Sequence, residues 1–329
     1  MTTTILGRKI GNTGYGLMGL TWRPQPQDIE KSFEAMRASL EVGCNFWNGG
    51  EFYGPPDYNS LTLMEKYFTK YPEDAEKVVL SIKGGIGPTG PDGSKEFVQS
   101  SIDNCLSLLK GKKTIDLFEC ARKDPNTPIE ITIAAMDEYV KAGKIGGIAL
   151  SEVGAETIRR AAKVAKIHAV EVEVSLWAMD IFSNGIAEAC AENDIPVVAY
   201  SPIGRGILSG EIRSPTDIPE GDFRRSLPRF QGENFNLNMK LVDALQEFAK
   251  QKGCTAAQLA ISYLKYLSKR DGNPEIIPIP GATTASRIKE NATQVTFTEE
   301  ELSEINSILG KFDIKGGRYD DQHAPLLNG

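Results

Sequence analysis

Histidine is almost missing from these 329 residues: only His168 and His323 occur. A histidine-rich metal centre is therefore excluded, and a Ser-His-Asp triad would have to use one of these two. Cysteine is sparse and odd in number. Cys44, Cys105, Cys120, Cys190 and Cys254 are scattered with no C-x-x-C pair, so reduced thiols are expected rather than a disulfide frame. No run of about 18 apolar residues occurs, so no segment is long enough to span a bilayer as a helix. The opening Met-Thr-Thr-Thr-Ile-Leu-Gly-Arg-Lys-Ile lacks a cationic stretch leading into an apolar one, and no secretory signal is expected. Basic side chains are outnumbered by acidic ones, 37 to 44, for a formal charge of −7. That balance argues against a nucleic-acid partner. The expectation is a cytoplasmic protein with a small-molecule partner, neither membrane nor metal, acting as a monomer or weak oligomer.

What is present is a repeated alternation of short β-branched runs and longer amphipathic stretches. Strands are expected at Tyr15–Met18, Cys44–Asn48, Val78–Ile82, Ile115–Cys120, Ile145–Leu150, Ala169–Glu173, Pro196–Tyr200 and Ile276–Ile279. Helices are expected at Ile29–Val42, Leu61–Lys70, Lys95–Leu109, Ile129–Lys141, Ala155–Ala165 and Asn184–Asn193, with one long region from Leu237 to Leu267. Eight such units admit an open doubly wound sheet or a closed (β/α)₈ barrel. No Pro- or Gly-rich linker divides the chain, and the length suits a barrel, so one barrel domain over 1–329 with a tail at about 312–329 is expected. Thr4–Ile10 reads as a hairpin closing its bottom. Thr298–Leu309 reads as an extra C-terminal helix whose acidic start suits a helix N-terminus.

Gly14-Tyr15-Gly16-Leu17-Met18-Gly19 satisfies G-x-G-x-x-G, but a true dinucleotide fingerprint opens directly into a helix. Here Thr21-Trp22-Arg23-Pro24-Gln25-Pro26 follows, and its two prolines indicate a loop.

Barrel chemistry sits where strands end and the following loops begin. Tyr53, in Glu51-Phe52-Tyr53-Gly54, and Lys83, closing Val79-Leu80-Ser81-Ile82-Lys83, fall at two successive ends. A phenol alone is a poor acid at neutral pH. A neighbouring ammonium stabilises its phenolate, so such a pair could protonate a developing alkoxide. Taken singly, each residue also reads as an ordinary surface group. Trp22, Phe52 and Trp177 could line a mouth suited to flat rings, or simply pack the loops.

The chain resembles the aldo-keto reductases. The resemblance rests on Asn45-Phe46-Trp47-Asn48, Glu51-Phe52-Tyr53-Gly54, Val140-Lys141-Ala142-Gly143-Lys144-Ile145, Ala199-Tyr200-Ser201-Pro202-Ile203-Gly204-Arg205-Gly206 and Ile277-Pro278-Ile279-Pro280-Gly281. Gly16-Leu17-Met18-Gly19-Leu20-Thr21-Trp22-Arg23-Pro24 and Cys120-Ala121-Arg122 look most like the fungal pyridoxal reductases. The resemblance implies NADPH-dependent reduction of an aldehyde, pyridoxal to pyridoxine, with Tyr53 as proton donor and Lys83 as its partner. It also places Gly16, Leu17 and Met18 near the nicotinamide ribose, Ser151 and Glu171 at the carboxamide, and Tyr200 on the nicotinamide ring. Ser201, Ile203, Arg205 and Gly206 would cover the pyrophosphate, and Gly281, Thr283, Arg287 and Asn291 the adenosine end. Arg287 could fork onto a 2′-phosphate.

The departures are specific. Asn48 stands where the family has aspartate and Ala121 where it has histidine, while Glu152 and Glu171 replace asparagine and glutamine at the carboxamide positions. With Asn48, the full lysine charge is expected to act on Tyr53, and Ala121 leaves room for a larger or polar ring. Two other readings stay open: a reductase of other aryl aldehydes or ketones, and a weakly catalytic NADPH-binding sensor. The tail Tyr319-Asp320-Asp321-Gln322-His323 could fold over the barrel top and let His323 replace the absent histidine, or be mobile. His168, at a strand start, is expected to face the opposite end.

Overall fold

The computed structural model describes residues 3–25 and 27–329, so Pro26 lies outside the described residues. The apolar runs form eight strands: β1 (Tyr15–Gly16), β2 (Phe46–Gly50), β3 (Val79–Gly84), β4 (Ile115–Cys120), β5 (Ile145–Ser151), β6 (Ile167–Glu173), β7 (Val197–Tyr200) and β8 (Ile276–Ile279). They lie in one parallel sheet in chain order. Its two ends meet. Gly14 donates its N–H to the Pro278 oxygen at 2.8 Å and Gly16 to that of Pro280 at 3.2 Å, and Gly16 pairs in parallel with Gly281. A β-carbon on Gly16 would come within 3.0 Å of the Ile279 carbonyl oxygen, so glycine permits this closure. The fold is the expected (β/α)₈ barrel, and the joined ends exclude the doubly wound alternative.

The outer ring contains α1 (Ile29–Glu41), α2 (Ser60–Lys70), α3 (Lys95–Leu109), α4 (Ile129–Lys141), α5 (Ala155–Val164), α6 (Ile186–Glu192), α7 (Gly232–Lys252), α8 (Ala256–Leu267), α9 (Ala285–Ala292) and α10 (Glu299–Lys311). On α3 the apolar residues Val98, Ile102, Cys105 and Leu109 recur at helical spacing and are buried as one stripe. The region from Leu237 to Leu267 is two helices, not one. Gly253 ends α7 in the left-handed region (φ 75°), and Thr255 caps α8 in a reciprocal capping box. Met18 does not extend β1; Met18–Thr21 forms a single helical turn, so only Thr21 of the expected loop is helical and residues 22–25 are not. The hairpin is present as Thr4–Ile5 against Arg8–Lys9, and Thr298 caps α10.

Strand alternation decides what faces the barrel axis. Phe46, Val79, Leu117, Ala149, Ala169, Val198 and Ile277 form an apolar interior plug with Ile5 and Ile10 beneath. Two residues further along their strands stand Asn48, Ser81, Glu119, Ser151, Glu171 and Tyr200, and beyond Ser81 and Glu171 come Lys83 and Glu173. The barrel is thus oily below and charged at its C-terminal mouth.

Candidate active site

Tyr53 follows β2 and is held by its backbone. Its N–H donates to the Gly50 oxygen at 3.2 Å, and its own oxygen accepts from Thr21 Oγ1 at 2.6 Å and Ser60 N–H at 3.1 Å. Only 9% of Tyr53 is exposed. Lys83, 3% exposed, places Nζ 5.9 Å from the centre of the Tyr53 ring. The two groups proposed as a pair therefore lie together at the mouth.

Lys83 is not left with an unopposed charge, and that expectation is corrected. Its ammonium reaches Glu119 Oε1 at 3.2 Å, Asn48 Oδ1 at 3.2 Å, and Glu171. Asn48 Nδ2 in turn donates to Glu171 Oε2 at 2.6 Å and to Glu119 Oε1 at 3.2 Å. The carboxylates missing at position 48 are supplied from β4 and β6. Burial works against the Lys83 charge, but Glu119 and Glu171 outweigh it and hold the lysine protonated. Burial, and then Glu119, push the Glu171 carboxyl well above its ordinary value despite Lys83. For Tyr53 burial is again the leading cause. It raises the phenol to about 12; Lys83 and Arg122 pull downward, and Glu171 and Glu119 push upward. The lowering expected from Lys83 is present but outweighed.

Above this floor lies a second charged layer. Arg205 forks onto Glu173, Nε to Oε1 at 3.2 Å and Nη2 to Oε2 at 2.7 Å. From the tail, Arg318 donates to both oxygens of Glu152 at 2.9 and 3.0 Å and to Glu173 at 3.4 Å. Tyr319 lies under Arg205, whose guanidinium carbon is 4.4 Å from its ring centre, and its hydroxyl is 3.1 Å from that of Tyr200. Tyr200 also donates to Glu152 at 2.7 Å. Arg318 is the leading cause that holds the Glu152 carboxyl down against its burial. Glu152, Ser201 and Arg205 all have left-handed backbones, with φ of 51°, 51° and 58°. Non-glycine residues rarely adopt that region, and three of the nine that do so among the described residues lie in these loops at the strand ends.

The other candidates fall as follows. Trp22, Phe52 and Tyr53 form one aromatic cluster, with ring centres 5.0 to 6.1 Å apart, and Trp22 is 48% exposed. Trp177 does not join them. It is 3% exposed and packs edge-on against Phe230. Leu17 is fully buried in the outer core and donates its N–H to the Asn48 oxygen, while Met18 is half-buried. Ala121 is buried and its N–H donates to the Gly84 oxygen. Ile203, Arg205 and Gly206 form a kinked turn after β7. Gly281 and Thr283 lead into α9, whose Arg287 is bound to Glu211 and, at 2.7 Å, to Glu290; Asn291 is buried. The tail does fold over the barrel, but through Arg318 and Tyr319. His323 is exposed and pairs with Asp320 at 2.6 Å, so it does not replace the missing histidine. His168 accepts from the Ile148 N–H at 3.3 Å, below the mouth.

Sequence reasoning missed Glu119, Glu173, Arg318 and Tyr319. Glu119 carried a signal: it stands in Ile115–Cys120 between apolar residues on both faces, so it could not be a solvent-facing residue of an alternating strand. Unsatisfied atoms point to the same region. Ser60 Oγ, Glu119 Oε2, Ser151 Oγ, Trp177 Nε1 and Arg205 Nη1 are buried without a hydrogen-bond partner among the described residues, and those of Glu119, Ser151 and Arg205 belong to the mouth. Buried polar groups are normally paired, so a cluster of unpaired ones suits a polar ligand.

Comparison with known proteins gives the family and the fold. The family model described as "Aldo/keto reductase family" matches residues 12–310. A Schizosaccharomyces pombe protein named "Probable pyridoxal reductase 2" is 40% identical over 332 residues, covering 98% of each chain. Another S. pombe protein, an aldo-keto reductase with NADP(+) in its name, is 35% identical and covers 95% of this chain and 94% of its own. The solved glycerol dehydrogenase of Gluconobacter oxydans superposes with a TM-score of 0.82 at 20% identity, covering 96% and 97% of the two chains, which supports the fold alone.

Proposed function

The chain belongs to the aldo/keto reductase family, and from that premise we propose that it reduces an aldehyde with NADPH, taking pyridoxal to pyridoxine. The observation that carries the reading is the Tyr53 phenol, held protonated by burial beside a lysine held charged by two carboxylates. When bound, NADPH supplies the hydride. Tyr53 keeps its proton at neutral pH and gives it from Oη to the carbonyl oxygen as that oxygen becomes an alkoxide. Lys83 then stabilises the phenolate left behind, and Asn48, Glu119 and Glu171 keep the ammonium in place.

The mouth fits the cofactor on its own chemistry. Ser151 Oγ is an unpaired buried hydroxyl suited to an amide, and Arg205 Nη1 an unpaired buried donor suited to a phosphate oxygen. Glu171 would serve Lys83 more directly than a carboxamide. Gly16, Met18, Tyr200, Ser201, Ile203 and Gly206 would frame the nicotinamide and pyrophosphate. Gly281, Thr283, Arg287 and Asn291 would hold the adenosine end, Arg287 by exchanging carboxylate for phosphate. Trp22 and Phe52 would face the substrate ring, with Ala121 leaving room for it. The relatives' names support pyridoxal and NADP(H).

The test follows NADPH loss with pyridoxal, benzaldehyde, a small ketone and buffer alone. Loss is expected with pyridoxal above all. A preference for benzaldehyde or the ketone would overturn pyridoxal as substrate. NADPH binding with no carbonyl-dependent oxidation would overturn the reductase reading in favour of a sensor.

A further inference from the structure

Arg122 is the residue immediately after Ala121, at the mouth end of β4. Its guanidinium is partly buried. Nη1 donates to the Ala121 oxygen at 2.6 Å and Nη2 to the Tyr319 hydroxyl at 3.2 Å, so most of its N–H donors have no protein acceptor among the described residues. Arg205 and Arg318 each grip a carboxylate, but among the described residues none lies within 4.0 Å of Arg122. A guanidinium withdrawn from water is normally matched by an anion. The guanidinium carbon is 5.5 Å from the centre of the Tyr319 ring, and Tyr200, the Glu152 carboxylate and Tyr53 are near enough to act on its charge, so a cation with no carboxylate in contact stands at the same mouth as Tyr53.

We propose that Arg122 is a substrate-binding residue that takes an anionic oxygen carried on a flat ring next to the carbonyl. The proposal rests on the reductase reading and deepens it. Pyridoxal has this feature, because its ring hydroxyl lies beside the aldehyde and is ionised at neutral pH opposite the protonated ring nitrogen. Arg122 then fixes which face and edge of the ring enter, a task the methyl of Ala121 cannot perform. Specificity arises because a neutral ring leaves the guanidinium unpaired.

The experiment compares the parent with Arg122→Gln and Arg122→Lys on two matched pairs: pyridoxal against pyridine-4-carbaldehyde, and 2-formylbenzoate against benzaldehyde. The readout is the ratio of kcat/KM within each pair. The parent is expected to favour the anionic member, and Arg122→Gln to cut that ratio about 10- to 100-fold, the worth of a charge-assisted hydrogen bond. Arg122→Lys should restore part of it. Equal ratios in parent and Arg122→Gln would overturn the proposal while leaving the reductase reading intact. A parent that rejects pyridoxal but prefers 2-formylbenzoate through Arg122 would remove pyridoxal and keep the receptor. A parent inactive on all four removes the reading and the proposal with it.

Discussion

On the floor of the mouth one ammonium, Lys83, is shared by Glu119 and Glu171; on the rim Arg205 and Arg318 take up Glu152 and Glu173, and a third guanidinium, Arg122, has no carboxylate within 4.0 Å among the described residues. The floor therefore has acid to spare and the rim has base to spare, with Tyr53 influenced by both. Surplus acid around a buried lysine secures its charge and leaves the phenol its proton, the state a proton donor needs. Surplus base in a partly open rim favours anions, such as a phosphate or a substrate oxygen. Placing the two balances in separate layers lets the barrel bind negative groups without stripping the proton from Tyr53.

The largest effect is expected on the floor. Glu119→Gln with Glu171→Gln leaves the buried Lys83 without a counter-charge and should cost about 3–5 kcal/mol in urea unfolding. Glu171→Gln alone should cost much less, because Glu119 remains. The sign with pH is distinctive. The folded Glu171 carboxyl is raised above its ordinary 4.5, so its ionisation opposes folding increasingly as pH rises above that value. The single variant should therefore compare more favourably with the parent at pH 8 than at pH 5. An unchanged double variant would mean that the floor does not hold Lys83.

The rim should show the opposite pH trend. Arg318→Ala frees the tail and leaves Glu152 with the Tyr200 hydroxyl and the Glu173 N–H, a loss of about 2 kcal/mol at neutral pH. The folded Glu152 carboxyl lies below its ordinary value, so its stabilisation is full above that value and lost as pH falls through the folded one. The gap in Tm between parent and variant should narrow from pH 7 to pH 4. A gap that widened would break the comparison between layers.

The smallest effect is expected at the edge. Arg287 is well exposed and already paired with Glu211 and Glu290, so its ion pairs contribute little to folding. Arg287→Ala should raise KM for NADPH about tenfold with little change for NADH. Equal changes would place the 2′-phosphate elsewhere.

Much of this was legible in the chain. The eight β-branched runs mark the strands, and Tyr53, Lys83 and Asn48 stand where a barrel presents its chemistry. The split at Gly253 was legible too, since glycine followed by a Thr-x-x-Gln cap is a stop and a start. Other features depend on tertiary contact. Arg318 meets Glu152 across 166 residues, which no local pattern records. Glu152 reads as an odd replacement at a carboxamide position until the tail shows its partner. Whether Lys83 lowers or merely restrains the Tyr53 phenol depends on burial, which only the folded chain supplies.

The central claim is that Tyr53 donates the proton while Lys83 supports it, and single-turnover reduction of pyridoxal by NADPH-loaded Tyr53→Phe tests it most directly. The account predicts a rate about 100- to 10,000-fold below the parent, with NADPH affinity within a few-fold. Reduction at the parent rate, or a loss explained by weakened NADPH binding, would contradict it.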